Sequence, residues 1–284
     1  MQNFSNKKFV DKDLYYVVYN TKSRVIYAPC AELKSLQREF MKKIKKLYPL
    51  DISTRKAAQL HTSSKWILKI DIKDFYNSVP YHDIEKVVEK VCDVEQFANV
   101  NYYLELCTYE QKLPTGAPTS SYIANACFRN VDFYIKSLSN SLMVNYSRYM
   151  DDLIFSADDK AVLNYIESKV RACLNKCGYQ INEKKLVYIC ENKQQNVLGL
   201  VVNGNKIRLS KEYKRKVRAM VFNSILFLIG LRKKSTQSDS YYKYYLKWQG
   251  VLSYLYQVDK KFHQQILDYE EKLLKKFCVN FSYP

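Results

Sequence analysis

Three aspartates in two short segments have the residue type and spacing that could hold divalent metal ions. Asp71 ends the apolar segment Trp66-Ile-Leu-Lys-Ile-Asp71, and the adjacent Asp151 and Asp152 follow about 80 residues later. An Asp-Asp pair in a turn is ordinary loop chemistry when it stands alone. Adjacent carboxylates beside apolar strands, however, repel each other and lose hydration unless a cation neutralises them. The combination with a strand that ends in Asp therefore favours a metal site.

The reaction that such a site suits best is nucleotidyl transfer with two metal ions. One ion lowers the pKa of the primer hydroxyl and the other neutralises the triphosphate and leaving pyrophosphate, with the two ions roughly 3.5–4 Å apart. Mg²⁺ prefers oxygen ligands and keeps some waters, so two or three carboxylates suffice, with Mn²⁺ as a substitute. We predict that Asp71 and Asp151 bind both ions and that Ile72 offers its carbonyl. Asp152 is expected nearest the hydroxyl-activating ion.

Bringing these aspartates together requires a sheet that joins distant segments. Residue patterns predict strands at 14–19, 24–28, 66–72, 143–148, 153–156, 186–190 and 197–202. Apolar residues at three- and four-residue spacing predict helices at 31–47, 81–92, 119–138, 160–177 and beyond about 210. Residues 143–156 then form a hairpin with the two adjacent aspartates at its tip. This order predicts an α+β fold around an antiparallel sheet.

The charge balance points to a polyanionic partner. The chain has 46 Lys+Arg against 28 Asp+Glu, a formal net charge of +18, which favours nucleic acid or an anionic membrane surface. No apolar run approaches the roughly 20 residues that cross a bilayer, and the first ten residues lack the apolar stretch of a signal peptide. The eight cysteines are scattered, as expected for reduced thiols in a cytoplasm. We therefore expect a cytoplasmic protein that binds nucleic acid and no membrane.

The basic charge is concentrated towards the end of the chain. Residues 204–236 contain ten Lys or Arg and one acidic residue, Glu212. Lysine and arginine on one helix can neutralise backbone phosphates without reading sequence. The residues predicted to contact nucleic acid here are Lys211, Lys214, Arg215 and Arg218.

The ordered motifs resemble those of bacterial reverse transcriptases of the retron type. Asp71-Ile-Lys-Asp-Phe-Tyr76 resembles the first catalytic motif, and Arg148-Tyr-Met-Asp-Asp152 resembles the catalytic hairpin. Leu113-Pro-Thr-Gly-Ala-Pro-Thr-Ser120 is similar to the nucleotide-pocket motif. Gly178-Tyr-Gln-Ile-Asn182-Glu-Lys-Lys185 and Val197-Leu-Gly-Leu-Val-Val-Asn203 resemble the next two motifs. Any one of these motifs is weak evidence, whereas several in the same order are strong evidence.

This resemblance implies the right-hand polymerase fold, in which fingers, a palm with an antiparallel sheet and a helical thumb are combined. It assigns the fingers to 1–65 with part of 93–120, the palm to 66–205 and the basic helical thumb to 206–284. The implied activity is RNA-directed DNA polymerisation, a nucleotidyl transfer from dNTPs that copies an RNA template into a DNA product. The catalytic residues are then Asp71, Asp151 and Asp152.

Further residue roles are implied by position within the matching motifs. Tyr76 corresponds to an aromatic ring that packs under the sugar and excludes a ribose 2′-hydroxyl. Lys22 and Arg24 correspond to the residues that hold the β- and γ-phosphates, where arginine suits forked contacts. The other implied contacts are with the incoming nucleotide, at Thr115, Gly116 and Lys185, and with nucleic-acid strands, at Tyr149, Met150 and Gly199.

Departures from the retron pattern at three positions leave more than one function open. Ala57-Ala-Gln-Leu-His61 partly matches an Asn-Ala-x-x-His pattern, Thr115 stands where many relatives carry Gln, and Leu198 replaces the Thr of a Val-Thr-Gly signature. The first hypothesis is a retron-type polymerase that makes single-stranded DNA from a structured non-coding RNA, with an effector protein in anti-phage defence. The second is a related defence polymerase with another RNA, a protein primer or no template. The third is a catalytically silent RNA-binding scaffold, which the three aspartates disfavour.

Overall fold

The computed structural model describes residues 7–10, 13–21, 25–49, 53–96, 99–232 and 238–277. The chain forms two compact units, Met1–Lys193 and Gln194–Pro284. Two residues with a predicted role, Lys22 and Arg24, lie outside the described residues.

The first unit combines strands and helices. Its strands are β1 (Lys7–Phe9), β2 (Tyr15–Asn20), β3 (Val25–Pro29), β4 (Trp66–Asp71), β5 (Asn145–Tyr149), β6 (Asp152–Ala157) and β7 (Val187–Cys190). Its helices are α1 (Ala31–Leu47), α2 (Thr54–Leu60), α3 (Phe75–Ser78), α4 (Tyr81–Glu95), α5 (Val100–Cys107), α6 (Ser120–Cys127), α7 (Arg129–Ser141) and α8 (Lys160–Lys176). The predicted α+β class with an antiparallel sheet is confirmed, and α1 has the predicted bounds.

The main sheet of this unit is antiparallel, with strand order β5-β6-β4-β7. β4 is an interior strand that pairs with β6 on one side and β7 on the other. Ile67, Leu68 and Ile70 of β4 are all buried. Because successive side chains of a strand point to opposite faces, both faces of β4 are covered. This explains why its sequence is a nearly continuous apolar run.

Amphipathic helices pack against this sheet and supply much of the core. In α8, the buried residues recur every three or four positions, at Leu163, Ile166, Val170 and Leu174. This spacing puts them on one stripe of the helix, which contacts β6 and α7. Each fully buried aliphatic side chain of this kind stabilises the fold by about 1.5–3 kcal/mol. The core therefore fixes the strands that carry the predicted aspartates.

One of the predicted helices is divided in the structure. The helix predicted at 119–138 is two helices, because α6 ends at Cys127 and α7 begins at Arg129. Phe128 between them is fully buried, and its ring packs edge-on against Phe75 and Tyr179. Apolar periodicity continues across this junction, so the sequence pattern alone did not reveal the break.

The second unit begins with a small sheet and continues as helices. Its elements are β8 (Asn196–Val197), β9 (Leu200–Val201), β10 (Arg208–Leu209), α9 (Lys211–Arg232), α10 (Ser238–Val258) and α11 (Lys260–Lys276). The strand predicted at 197–202 is a hairpin of β8 and β9. Leu198 and Gly199 both have positive φ, 49° and 85°, as a tight two-residue hairpin turn requires. The prediction of helices beyond about 210 is confirmed.

The helices of the second unit share an apolar interior of their own. α9 buries Val217, Val221 and Ile225, again at a spacing of four residues. α10 and α11 contribute Trp248, Leu255, Phe262, Ile266 and Leu273. Among the residues that the structure describes, no helix has both the length and the apolar composition to cross a membrane.

Candidate active site

Strand pairing brings the three predicted metal ligands to one end of the main sheet. Asp71, the last residue of β4, is the cross-strand partner of Asp152, the first residue of β6. Direct partners in an antiparallel pair have Cα atoms about 4.5–5.5 Å apart. Asp151 precedes Asp152 in the turn that joins β5 to β6. The three carboxyl groups are therefore neighbours, although two segments distant in sequence supply them.

Hydrogen bonds hold the turn between β5 and β6. Met150 has a φ of 55°, which is uncommon for a residue with a side chain. The Ile72 N–H donates to the Asp151 carbonyl at 3.0 Å, and the Arg148 guanidinium donates to the Met150 carbonyl at 3.1 Å. The backbone that presents Asp151 and Asp152 is thus fixed by β4 and by the hairpin itself.

Arg148 connects this turn to two helices. Its Nη2 donates to Asn125 Oδ1 of α6 at 2.6 Å, and its Nε donates to Asp132 Oδ1 of α7 at 2.9 Å. The guanidinium also lies over the Phe128 ring, 4.8 Å from its centroid. Five donors in a fixed plane allow arginine to satisfy several acceptors at once. Only 7% of the Arg148 side chain is exposed, so the arginine acts as an internal support.

Both oxygens of Asp71 are occupied by side chains from the segment after α8. Asn182 Nδ2 donates to Oδ1 at 3.0 Å, and Lys185 Nζ donates to Oδ2 at 2.7 Å. The Asn182 backbone N–H also donates to the Asp71 carbonyl at 2.8 Å. The hydrogen bond to Asp71 raises the pKa of Lys185, so Lys185 is a cation at neutral pH. The side chain of Asp71 is 9% exposed and that of Lys185 is 61% exposed.

The remaining two carboxyl groups stand in an environment that disfavours their charge. Burial raises the pKa of Asp151, and repulsion from Asp152 and Asp71 adds to the increase. Burial also raises the pKa of Asp152, which the nearby Lys69 opposes and Asp71 reinforces. Three carboxylates thus share one partly buried place, and a bound cation would relieve their repulsion.

The ligand atoms that the three aspartates offer are oxygens, which Mg²⁺ and similar hard divalent ions prefer. Among the described residues, no group of three or more His, Cys, Asp or Glu side chains is arranged to hold a metal ion. In the conformation described, Lys185 and Asn182 engage the two oxygens of Asp71. The Lys185 ammonium therefore competes with a cation for that carboxylate.

The predicted nucleotide-pocket residues occupy two places in the first unit. Tyr76 lies in α3, half-buried, with its ring 5.7 Å from that of Phe75. Thr115 accepts a hydrogen bond from the Tyr27 N–H of β3 through its carbonyl, at 2.8 Å. At Gly116, where φ is +117°, a Cβ atom would lie 2.7 Å from the Tyr27 carbonyl oxygen. The close approach that this glycine permits in the structure is to β3.

The residues predicted to contact nucleic acid differ in their solvent exposure and in the partners they already have. Tyr149 is 36% exposed and stands across from Asp152 in the hairpin. Gly199 lies in the β8–β9 turn with open space where a Cβ would be. On α9, Lys211 and Arg215 are exposed. Three more contacts were predicted, at Met150 in the β5–β6 turn, at Lys214, which pairs with Asp259 at 2.6 Å, and at Arg218, whose guanidinium lies over Phe262.

Sequence reasoning did not identify the residues that support the site. Asn182 and Arg148 stand inside recognised motifs, but no spacing rule links Asn182 to Asp71, 111 residues earlier. Asp132 carried no signal at all, because a single acid on a helix is usually solvated. His61 is buried, and both of its ring nitrogens are hydrogen-bonded, to Ser156 and to Ser147, which is the environment of a structural histidine.

Comparisons with known proteins agree on a single protein family. The sequence profile of a family described as reverse transcriptase (RNA-dependent DNA polymerase) matches residues 10–202. The Retron Ec86 reverse transcriptase of Escherichia coli is 28% identical over 267 residues, covering 90% of this chain and 78% of the relative. The Retron Ec83 reverse transcriptase of the same organism is 28% identical over 221 residues, covering 70% of each chain.

One solved structure reports on the fold alone. A telomerase from Candida albicans, in complex with a fragment of telomeric RNA, aligns with a TM-score of 0.52 at 12% identity. The alignment covers 94% of this chain and 62% of the telomerase. The architecture is therefore that of the right-hand polymerases, with mixed helices and an antiparallel sheet.

Proposed function

Because this chain belongs to the reverse transcriptase family, the RNA-dependent DNA polymerases, we propose that it copies a structured non-coding RNA of a retron into single-stranded DNA. The relatives named as retron reverse transcriptases, which align over most of the chain, support the retron assignment. RNA-directed DNA polymerisation is the activity of the family.

One observation carries this proposal: the cross-strand pairing of Asp71 with Asp152 beside Asp151. Three carboxylates at a sheet end, with the pKa of two of them raised by burial and mutual repulsion, destabilise a fold that has no use for them. A site that binds divalent cations gives the arrangement a function. This argument also disfavours a silent scaffold.

We assign Asp71 and Asp151 as ligands of two Mg²⁺ ions, with Asp152 nearest the primer hydroxyl. Bound ions would supply activation of that hydroxyl and charge neutralisation on the triphosphate. The protein's own contribution is preorganisation, because the Ile72 and Arg148 hydrogen bonds fix the aspartate-bearing turn.

Lys185 is proposed to serve the incoming nucleotide. Its ammonium is held on Asp71, yet most of its side chain is exposed. A flexible cation in this position can exchange a carboxylate oxygen for a triphosphate oxygen. Tyr76, Thr115 and Gly116 complete the proposed nucleotide pocket, together with Lys22 and Arg24.

The remaining parts of the proposal concern organisation and partners. Residues 1–65 with part of 93–120 form the fingers, 66–205 the palm and 206–284 the thumb. The partners are the RNA template, its DNA product and dNTPs, with an effector protein in anti-phage defence. The exposed cations of α9, Lys211 and Arg215, suit the phosphate backbone of such partners. A cytoplasmic location follows from this role.

The double variant Asp151→Asn/Asp152→Asn tests the proposed function. It should abolish dNTP incorporation on an RNA template, since the carboxylate ligands are lost while the side-chain volume is kept. RNA binding should remain within a few-fold of wild type, measured in the same preparations. A double variant that still extends primers would show that these aspartates do not carry the reaction. Sequencing the nucleic acid that co-purifies with both proteins identifies the RNA.

A further inference from the structure

A basic cavity of about 470 Å³ opens on the first unit and has no part in the reaction described above. It lies between α2, the α6–α7 junction, strand β5 and the residues that follow α1. The predicted metal ligands do not line it. Four cationic side chains and one carboxylate do: Lys56, Arg129, Lys136, Arg148 and Asp132.

The single carboxylate of the cavity already has partners at one of its oxygens. Asp132 Oδ1 accepts hydrogen bonds from Arg148 Nε at 2.9 Å and from the Tyr146 hydroxyl at 2.6 Å. Lys56, Arg129 and Lys136 form no ion pair within the described part of the chain. Three unpaired positive charges thus face one concave surface, which attracts anions from solution.

Exposed cations that interact only with water are the simpler explanation, since Lys56, Arg129 and Lys136 are each exposed. Two features of the cavity go beyond that explanation. Its volume lies within the 300–1,000 Å³ typical of small-ligand sites. Its lining also includes the half-buried ring of Tyr48 and the amide of Asn125. These groups suit a nucleotide: cations contact the phosphate, an aromatic ring can stack on the base, and an amide can bond a polar edge.

The cavity is physically connected to the catalytic turn. Arg148, which lines it, donates to the Met150 carbonyl and to Asn125. Ser147, also in the lining, is bonded to the buried His61 at 2.8 Å. A ligand in the cavity would therefore touch the supports of the hairpin without touching its aspartates.

We propose that this cavity binds a phosphate-bearing nucleotide of the RNA that the enzyme copies, at a point away from the reacting strand. The inference rests on the proposed function, because it takes that RNA as the ligand. It assigns a role to the surface around Ala57, where the chain departs from the retron pattern. A free nucleotide has the same chemistry and is the competing source of the phosphate.

The experiment compares two double variants that remove the same charge. Lys56→Gln/Arg129→Gln alters the cavity, and Lys90→Gln/Lys176→Gln alters exposed lysines of α4 and α8 outside it. Binding of labelled oligouridylate is measured against salt concentration in EDTA, without dNTPs. Each lost phosphate contact on a single strand lowers the slope of log affinity against log salt by about 0.7. The cavity variant should therefore lose about 1.4 in slope, and the control should keep the wild-type slope.

Equal slopes in the two variants would overturn the proposal. So would a cavity variant that loses binding of labelled ATP in EDTA while its RNA slope is intact, because the ligand would then be a free nucleotide. If the double variant unfolds at a lower urea concentration, the single Lys136→Gln change, with an expected loss of about 0.7, replaces it. DNA synthesis by the wild-type protein is scored separately, so failure of the proposed function remains distinguishable from failure of this site.

Discussion

At the end of the main sheet, charged side chains are fixed by hydrogen bonds, whereas those on α9 of the second unit are mostly exposed. Asp71 is held by Lys185 and Asn182, and Arg148 satisfies three acceptors at once. On α9, Lys211 and Arg215 extend into solvent. The difference teaches that the first region uses charged side chains to fix the positions of neighbouring groups. The second offers charge for affinity that tolerates any sequence.

The largest expected effect at neutral pH is at Arg148. The Arg148→Met change removes the donor of Asn125, leaves Asp132 with only the Tyr146 hydroxyl, and frees the Met150 carbonyl from its hydrogen bond. We expect the free energy of unfolding to fall by about 2–3 kcal/mol, because buried polar groups lose partners. Urea unfolding of the first unit measures it. The control Arg215→Met should change stability by less than about 0.5 kcal/mol, and equal effects would erase the contrast between the regions.

A pH dependence is expected from the buried histidine behind the hairpin. Burial lowers the pKa of His61 to about 4, below the ordinary value of about 6.5 for an unfolded chain. Between these values the unfolded state binds a proton that the native state does not. Stability therefore falls as pH drops through this window, by about 3 kcal/mol once pH 4 is reached.

The difference between wild-type and His61→Gln unfolding curves over pH 4–7 isolates this contribution. The variant should lose the dependence attributable to the histidine, and the exposed His82→Gln control should retain it. A His61→Gln protein with the wild-type pH profile would show that the buried imidazole is not the group responsible.

A smaller effect is expected where Lys185 and a divalent ion compete for Asp71. Lys185→Gln should strengthen Mn²⁺ binding about tenfold, or about 1.4 kcal/mol, because the ammonium that competes for Asp71 is removed. Electron paramagnetic resonance of free Mn²⁺ measures the affinity without requiring turnover. Lys69→Gln removes equal charge near Asp152 without a bond to Asp71, and its effect should stay under about threefold. Equal gains in both variants would point to general electrostatics.

The smallest expected effect is at the exposed cations of α9. Lys211→Gln/Arg215→Gln should lower the salt slope of single-stranded RNA binding by about 1.4, as two phosphate contacts are lost. Lys214, which pairs with Asp259, should behave differently. Lys214→Gln is expected to cost about 1 kcal/mol of stability with little change in slope. Reversed behaviour would mean that Lys214, and not its exposed neighbours, contacts the RNA.

How much the sequence could predict differs between these regions for a physical reason. Periodicity and turn chemistry are local, so α1, β4 and the aspartate hairpin were predicted within a few residues. The break at Phe128 depends on rings from Phe75 and Tyr179, and periodicity does not report such packing.

The site was predictable as far as its motifs reach. The meeting of Asp71 with Asp152 was foreseen because an Asp-ended strand and an Asp-tipped hairpin share a known chemistry. The hydrogen bonds from Asn182 and Lys185 to Asp71 were not predicted. A contact between residues 111 positions apart leaves no pattern in either segment. Gly116 was assigned to a nucleotide contact, and its tight neighbour in the structure is the Tyr27 backbone.

The hydrogen bonds from Asn182 and Lys185 to Asp71 also constrain the order in which the chain can fold. The hairpin of β5 and β6 closes a short loop and can form early, whereas joining Asp71 to Asn182 closes a loop of more than a hundred residues at a higher entropic cost. During synthesis on the ribosome, β4 and the hairpin emerge before Lys185 does. In a nascent chain, Asp71 therefore lacks its hydrogen bonds to Asn182 and Lys185. The geometry of the site is complete only when the segment after α8 packs against β4.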